Sequence, residues 1–398
     1  MYHFFPADIL LPKKDFARWA VIACDQYTSQ IEYWQEAESI VGEAPSALKI
    51  MLPEIYLEDN PQIRIEKINQ TMEAYLADDV LQCYPQSMIY VERTQADGKI
   101  VRGIVGAIDL NEYDYHAHAH SLVRSTEKTI ESRLPSRVAI RQNASLEMPH
   151  ILLLMADPLF QVIQPLSEEK ERFKCLYDFE LMLNGGHLKG YLLDEKTVKT
   201  VQVALNELIA QQDEPLLFAV GDGNHSLAAA KECANLNASP LAQQALVEIV
   251  NIHDEAIQFE PIYRVLFNCE PQKVLADLKA ALAVDTNEQS GHHIRYVATD
   301  ISGEVFLKTT SNLPIGTLQN WLDAYLADKP EITVDYIHGV EAVEKICQAP
   351  NTLGFIFDSI DKDELFSAVA KEGSLPRKTF SMGHANDKRY YMECRKIK

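Results

Sequence analysis

Pro215-Leu-Leu-Phe-Ala-Val-Gly-Asp-Gly-Asn-His-Ser226 is followed directly by Leu227-Ala-Ala-Ala-Lys-Glu232. The apolar run has the length of a strand and stops at a Gly-Asp-Gly turn. The polar residues after it open a segment of strong helix formers, so strand, tight turn and helix start are expected within about a dozen residues. Glycine lets the backbone approach a ligand closely, because no Cβ intervenes. A helix start offers unpaired N–H groups and the positive end of a dipole, which suits phosphate. Asp222 is placed to hold Mg²⁺ or to take a proton from an attacking hydroxyl. Asn224 can donate to a phosphate oxygen, and His225 can neutralise developing charge or shuttle a proton. An ordinary capped turn is the plainer reading, but Asp, Asn and His together exceed what one cap requires.

Outward from this turn, residues 197–211 read as the preceding helix, and Pro240 opens a further helix through Val250. Towards the N-terminus, residues 17–24 read as a buried strand, followed by Asp25 and Gln26 and then a helix over 30–38. Residues 61–80 show an amphipathic helical period, with Ile63, Ile65, Ile68, Met72, Tyr75 and Leu76 mostly on one side. Strands at 87–93 and 99–108 flank the hairpin signal Gln95-Ala-Asp-Gly98. A buried strand is expected at 150–155, a helix at 168–177 and a loop at Gly185-Gly186. Beyond about residue 258 the pattern changes to short strands, including 332–337 and 353–358, and two helices, with turns at Ser302-Gly303 and Pro330. The C-terminal stretch reads as two strands around a turn at 384–388. A boundary near 260 divides the chain into a core, 1–260, and a C-terminal part, 261–398.

The 398 residues exceed one small core. Asp and Glu number 58 against 37 Lys and Arg, for a formal charge of −21, a field that repels nucleic acid. No apolar run reaches membrane-spanning length, and the first residues lack the basic start and apolar stretch of a secretory signal. The seven cysteines are scattered without Cys-x-x-Cys spacing, which fits reduced thiols. These features predict a cytoplasmic protein with no membrane partner. Homo-oligomerisation stays open.

A second cluster is Val123-Arg-Ser-Thr-Glu-Lys-Thr-Ile-Glu-Ser-Arg133. Arg124, Arg133, Arg137 and Arg141 make it locally basic, and arginine forks match phosphate oxygens. Glu127 among them is a candidate general base or metal ligand; a charged helix with Glu–Arg pairs is the alternative. Asp25 and Gln26 follow a strand, where open α/β sheets bind ligands, although a capping Asp is as good a reading. His116-Ala-His-Ala-His120, taken as a strand, shows three rings on one face, but an exposed polar face explains it better than zinc. His253-Asp254-Glu255 either faces the turn or lies on the surface, His292-His293 reads as a solvated loop, and Lys388-Arg389 as part of a structural hairpin. There is no P-loop and no Gly-x-Ser-x-Gly elbow.

Ala23-Cys-Asp-Gln-Tyr-Thr-Ser-Gln30, Arg124-Ser-Thr-Glu127, Pro149-His-Ile151, Val220-Gly-Asp-Gly-Asn-His-Ser226, Asn251-Ile-His-Asp-Glu255 and Phe380-Ser-Met-Gly383 together resemble domain-of-unknown-function family 1015, often labelled ParB-like. The family's turn is similar to one in the wider ParB and sulfiredoxin superfamily, which includes nucleotide-dependent free-serine kinases. The resemblance implies an α/β to α+β fold, with a ParB/sulfiredoxin-like core and an additional C-terminal α+β part. It implies nucleotide phosphates, from ATP or ADP with Mg²⁺, near Gly221, Asp222, Gly223, Asn224 and His225. The pattern departs at Asn224, which replaces a His, and at Ser226, where many members carry Arg. Arg124 or Arg141 is then expected to supply the missing guanidinium, with Arg124 and Glu127 facing Asp222 across one cleft. No Cys occupies the turn, which argues against sulfiredoxin chemistry. The implied activity is phosphoryl transfer between a nucleotide and a small hydroxyl metabolite, free serine or phosphoserine first. The alternatives are a phosphohydrolase of the same metabolite, a nucleotide-gated ParB-like binding protein without catalysis, and a scaffold carrying a relic site.

Overall fold

The computed structural model describes residues 2–116, 118–148, 150–210, 215–237, 239–284, 291–383 and 387–398. The chain forms two compact units, 1–257 together with 384–398, and 258–383. Both mix helices with sheet.

The first unit is built on a ten-stranded mixed sheet. Its strands are β1 (Phe4–Phe5), β2 (Ile89–Thr94), β3 (Ile100–Asp109), β4 (Tyr113–Asp114), β5 (Val123–Ser125), β6 (Leu152–Met155), β7 (Lys174–Glu180), β8 (His187–Leu192), β9 (Phe218–Asp222) and β10 (Gln244–Asn251). They lie in the order β7-β8-β2-β3-β10-β6-β9-β5-β4, with β1 paired to β3. β6 runs parallel to β10 and antiparallel to β9, and β9 runs parallel to β5. Successive residues feed opposite faces, as the period of two demands. Val105, Ala107 and Leu246 enter one core, and Ile104, Ile108, Ala245 and Val247 the other. The helices α1 (Ile31–Val41), α2 (Pro61–Ala77), α3 (Leu134–Gln142), α4 (Glu195–Ala210) and α5 (Asn224–Leu236) belong to this unit. Trp19 and Trp34 are fully buried in the first core.

Burial on both faces explains one of the expectations that fail here. The segment expected as a helix from Pro240 is instead β10, whose residues from Ala245 to Asn251 are all buried. A strand covered on both sides reads as a continuous apolar run and loses its alternation. Of the helix expected at 168–177, the first part holds the end of a short helix, Gln164–Glu168, and a single helical turn, Lys170–Arg172, while the residues from Lys174 belong to β7. Residues 17–24 hold a short helix, Phe16–Trp19, and a two-residue strand, Val21–Ile22. That strand pairs with Tyr390–Tyr391, and Leu146–Glu147 pairs with Arg395–Lys396. The chain end is therefore built into the first unit rather than forming a C-terminal hairpin. The turn expected at 384–388 includes residues 384–386, which lie outside the described residues, as does residue 211 at the end of the expected helix.

The second unit carries a six-stranded antiparallel sheet. It is made of β11 (Phe259–Phe267), β12 (His292–Val297), β13 (Ser302–Leu307), β14 (Thr333–His338), β15 (Thr352–Ile356) and β16 (Phe380–Met382). The order is β13-β12-β15-β11-β14, with β16 paired to β11. Its helices are α6 (Pro271–Leu282), α7 (Pro314–Leu326), α8 (Val340–Ile346) and α9 (Lys362–Glu372), where two were expected. His292-His293 opens β12 rather than a loop, and Ser302-Gly303 opens β13 rather than a turn.

Candidate functional site at the start of α5

Strand β9 delivers Asp222 to its C-terminal end, and Gly223 turns the chain into α5. Gly223 has φ 82° and serves as the N-cap; a Cβ there would stand 3.0 Å from the Ile151 Cα. The left-handed backbone and the close approach both require glycine. Its N–H donates to the Asp222 Oδ1 (2.9 Å). Leu227 N–H donates to Gly223 O (3.0 Å). The backbone N–H groups of Asn224, His225 and Ser226 have no acceptor among the described residues. Three donors at the positive end of a 13-residue helix thus stand unpaired among the described residues.

The neighbouring strand fixes the turn's side chains. Parallel pairing sets Val220 against Ser125. The Ser125 hydroxyl donates to the Asn224 Oδ1, and Thr126 Oγ1 donates to Val220 O (2.6 Å). Asn224 is therefore committed to Ser125 through its oxygen. His225 Nε2 accepts the Ile130 N–H (3.2 Å), so this ring nitrogen is not a donor. Burial pushes the His225 pKa down to about 4, and Arg137 and Arg133 push the same way. His225 is therefore neutral at pH 7 in this arrangement. The two guanidiniums lie near enough to act on His225, with Asp25 acting the other way.

Across the turn, Asp222 Oδ2 lies 3.2 Å from Lys388 Nζ. Asp25 stands nearby, its Oδ1 accepting from Gln26 Nε2 (3.0 Å). Burial pushes the Asp25 carboxyl up, but His150, the Gln26 hydrogen bond and Lys388 outweigh it and leave it below its ordinary 3.8. His150, 4% exposed, ties these groups together. Its Nε2 is 3.8 Å from Asp25 Oδ2 and 3.4 Å from Ser226 Oγ, and its Nδ1 is 2.8 Å from the Tyr391 hydroxyl. Tyr391 also accepts the Cys24 N–H (3.3 Å). The Cys24 thiol, raised by burial and by Asp25 to about 12, stays protonated and is no nucleophile at neutral pH.

The structure thus brings Asp25, Gln26, Asp222, Gly223, Asn224, His225 and Ser226 into one neighbourhood, with Gly221 as the last residue but one of β9. Glu127 lies half-buried on the loop between Thr126 and Thr129 that borders the turn. Arg124 does not reach it. Its guanidinium donates to Ser121 O (2.7 Å) and Pro215 O (2.8 Å), beyond the start of β9. The length of β9, roughly 13 Å at strand rise, separates that end from Asp222. Arg141 is engaged by buried Glu147, with Nη2 2.5 Å from Oε2. Ser226 therefore has no arginine substitute in either; Lys388, Arg133 and Arg137 are the cations near the turn. Arg137 pairs with Glu54, whose carboxyl burial raises above its ordinary 4.5. Lys388, His150 and Tyr391 escape sequence reading because long-range pairing brings them here. His150 had only its place in a family-like stretch, with Pro149 itself outside the described residues.

Other expectations fall away from this site. His253-Asp254-Glu255 follows β10, whose Asn251 is level with Met155, whereas Asp222 is level with Leu152 at the other end of β6. Asp254 instead faces Arg102 (3.5 Å). His116 lies beyond β4 rather than on a strand and contacts Asp114 (2.7 Å); Ala117 is outside the described residues. Among the described residues no three His, Cys, Asp or Glu side chains group as metal ligands. Among them, too, no helix is long and apolar enough to cross a membrane.

The chain belongs to the DUF1015 family, described as proteins of unknown function, which matches residues 5–325. No curated protein matches the sequence. Among solved structures, a conserved hypothetical protein from Pyrococcus furiosus is 13% identical, with TM-score 0.39, covering 73% of this chain and 94% of its own. A free serine kinase in complex with AMP is 11% identical, with TM-score 0.42, covering 73% and 91%. SbnI with a C-terminal truncation, from Staphylococcus aureus, is 12% identical, with TM-score 0.38, covering 70% and 82%. Likeness at this level assigns no residue a role.

Proposed function

We propose that this member of the DUF1015 family is a nucleotide-dependent phosphotransferase acting on a small hydroxyl metabolite, with its site at the start of α5. The observation that carries the reading is the set of three consecutive N–H groups, at Asn224, His225 and Ser226, without a protein acceptor among the described residues. Backbone donors at a helix start favour an anion, and phosphoryl transfer needs chiefly positioning and charge stabilisation. Lys388 adds a cation at Asp222, and Arg133 and Arg137 stand near His225. In this reading the core is ParB/sulfiredoxin-like, in line with the family resemblance of the turn.

The residues present fit a nucleotide phosphate. Asp222 is the side chain that would share a divalent ion with it, Asp25 standing alongside; such an ion, when bound, neutralises charge on the phosphates. The chain's own groups account for the rest. Asp222, and Asp25 held ionised beside His150, are the carboxylates placed to orient an acceptor hydroxyl and take its proton. Lys388, now on Asp222, is free to move to a phosphate oxygen as charge builds there. Free serine is the first acceptor to test, on the superfamily resemblance.

The test is phosphorus NMR on purified protein with ATP or ADP, Mg²⁺ and serine or phosphoserine, extended to a broad panel of hydroxyl and phosphorylated metabolites. Transfer of phosphate is the expected result. Release to water alone makes the protein a phosphohydrolase. Nucleotide binding without turnover across the panel returns the site to a nucleotide-gated binding role.

A further inference from the structure

A cavity of about 140 Å³ lies beneath the first turns of α5. Ser226 and Ala229, one turn apart on that helix, form one wall together with His150. The Ser226 hydroxyl and His150 Nε2, 3.4 Å apart, belong to both the cavity and the turn. Met51, Leu52, Leu57, Met72, Ile140 and Met148 supply much of the remaining lining. Glu54, Arg137, Arg141 and Glu147 also line it, so the wall is mixed; a cavity of roughly 150 Å³ has room for a molecule the size of benzene. The charged groups of the lining stand in ion pairs, Arg137 with Glu54 and Arg141 with Glu147, the contact between Arg141 Nη2 and Glu147 Oε2 being made without hydrogen-bond geometry. A zwitterion as small as serine brings an ammonium and a carboxylate, and burying either without a partner is costly.

We infer that the acceptor is an amphiphilic alcohol, whose hydroxyl lies at His150 and the α5 turn and whose apolar arm, up to about six carbons, fills this cavity. The inference rests on the phosphotransferase reading and narrows its substrate class away from free serine. Phosphate, hydroxyl and arm then occupy one continuous path along the Ser226–Ala229 face.

Calorimetry on the full chain with inorganic phosphate, methyl, propyl, pentyl and phenyl phosphate, and phosphoserine tests it. Affinity rises by about 4-fold for each methylene buried, levels off near six carbons, and leaves phosphoserine no tighter than methyl phosphate. Leu57→Trp, placed from a half-buried position, removes the gain from the longer arm. Met72→Ala, if it folds, moves the plateau to longer chains. Chain-length independence, or tighter binding of phosphoserine than of pentyl phosphate, overturns the inference while leaving the turn's phosphate site in place. Separate titrations with 1-pentanol and methanol read the cavity without phosphate. Preference for pentanol with no binding of inorganic phosphate leaves an apolar site but overturns its assignment to an acceptor, and the transferase reading with it.

Discussion

Asp222 and His225 are three residues apart and do different work. Asp222 is half-buried, holds Lys388 and receives the N–H of its own turn, so Asp222→Asn keeps shape and polarity while removing the charge. Positioned acid–base chemistry contributes about 10²–10⁴-fold in rate, and a loss of that order is expected in the phosphorus assay, with the melting temperature little changed. Full activity in Asp222→Asn would place the proton acceptor elsewhere, Asp25 first. His225 acts through protonation. The fold prefers its neutral form, with a pKa near 4 against an ordinary 6.5. Its contribution to stability is full above pH 6.5 and is lost as pH falls from about 6.5 through about 4, because the unfolded chain then binds the proton more readily. His225→Gln should flatten that part of a denaturant-midpoint curve measured from pH 7 to 4. An unchanged slope would show that His225 is not held neutral. Of these residues, Asp222 and His225 were legible from their position in the turn, whereas the duties of Asn224 and His225 were not. Ser125 and Ile130 decide them from across a strand pair, and no spacing in the sequence records that contact.

Among the elements, the strand–turn–helix unit is the part most readily read from sequence, because its signals are local. An apolar run, a glycine that must adopt φ 82° and a helix-forming tail lie within one short stretch. Gly223→Ala tests the unit as a whole. The left-handed backbone costs a side chain about 1–2 kcal/mol, and the new Cβ would press against Ile151 at 3.0 Å. We expect a stability loss of at least that order in urea unfolding, and weaker phosphate binding as the first turn of α5 shifts. An alanine variant with unchanged stability and affinity would mean that the turn is less constrained than its geometry. By contrast, β10 and the first half of β7 read as helix in the sequence. Each is apolar or mixed without a clean period of two, because sheet neighbours and covering layers decide their conformation. The arginines failed for the same reason. Arg124 and Arg141 are basic residues in a basic stretch, yet one serves backbone carbonyls and the other a buried carboxylate.

At the scale of the whole chain, the last residues close the first unit and carry buried charges of their own, Arg389, Glu393 and Arg395. Arg389 donates to Glu248 (2.6 Å) and to Glu393 (2.8 Å), and Arg395 donates to Glu147 (2.7 Å). Glu248 sits on β10 in the middle of the sheet, where Arg93 also approaches it at 3.3 Å. Burial pushes the Glu248 carboxyl up, but the two guanidiniums outweigh it and hold it below 4.5, so it remains charged in the interior. A cation contributed from residue 389 is thus a condition for burying an anion at residue 248. Lys388, beside Arg389, reaches the turn from the same anchored segment, which links the folding of the chain end to completion of the site. Arg389→Met keeps much of the volume and removes the charge. Removing one partner of a buried pair costs about 3–5 kcal/mol, so the variant should unfold at distinctly lower denaturant than wild type. Placing Arg389→Met together with Glu248→Gln should recover only the part of the loss due to an unpaired Glu248, because Glu393 and Arg93 keep their charges in the interior. If the single variant is as stable as wild type, Arg93 alone suffices for Glu248. If the double variant recovers nothing, the segment is held by its packing and strand pairing through Tyr390 and Tyr391 rather than by charge.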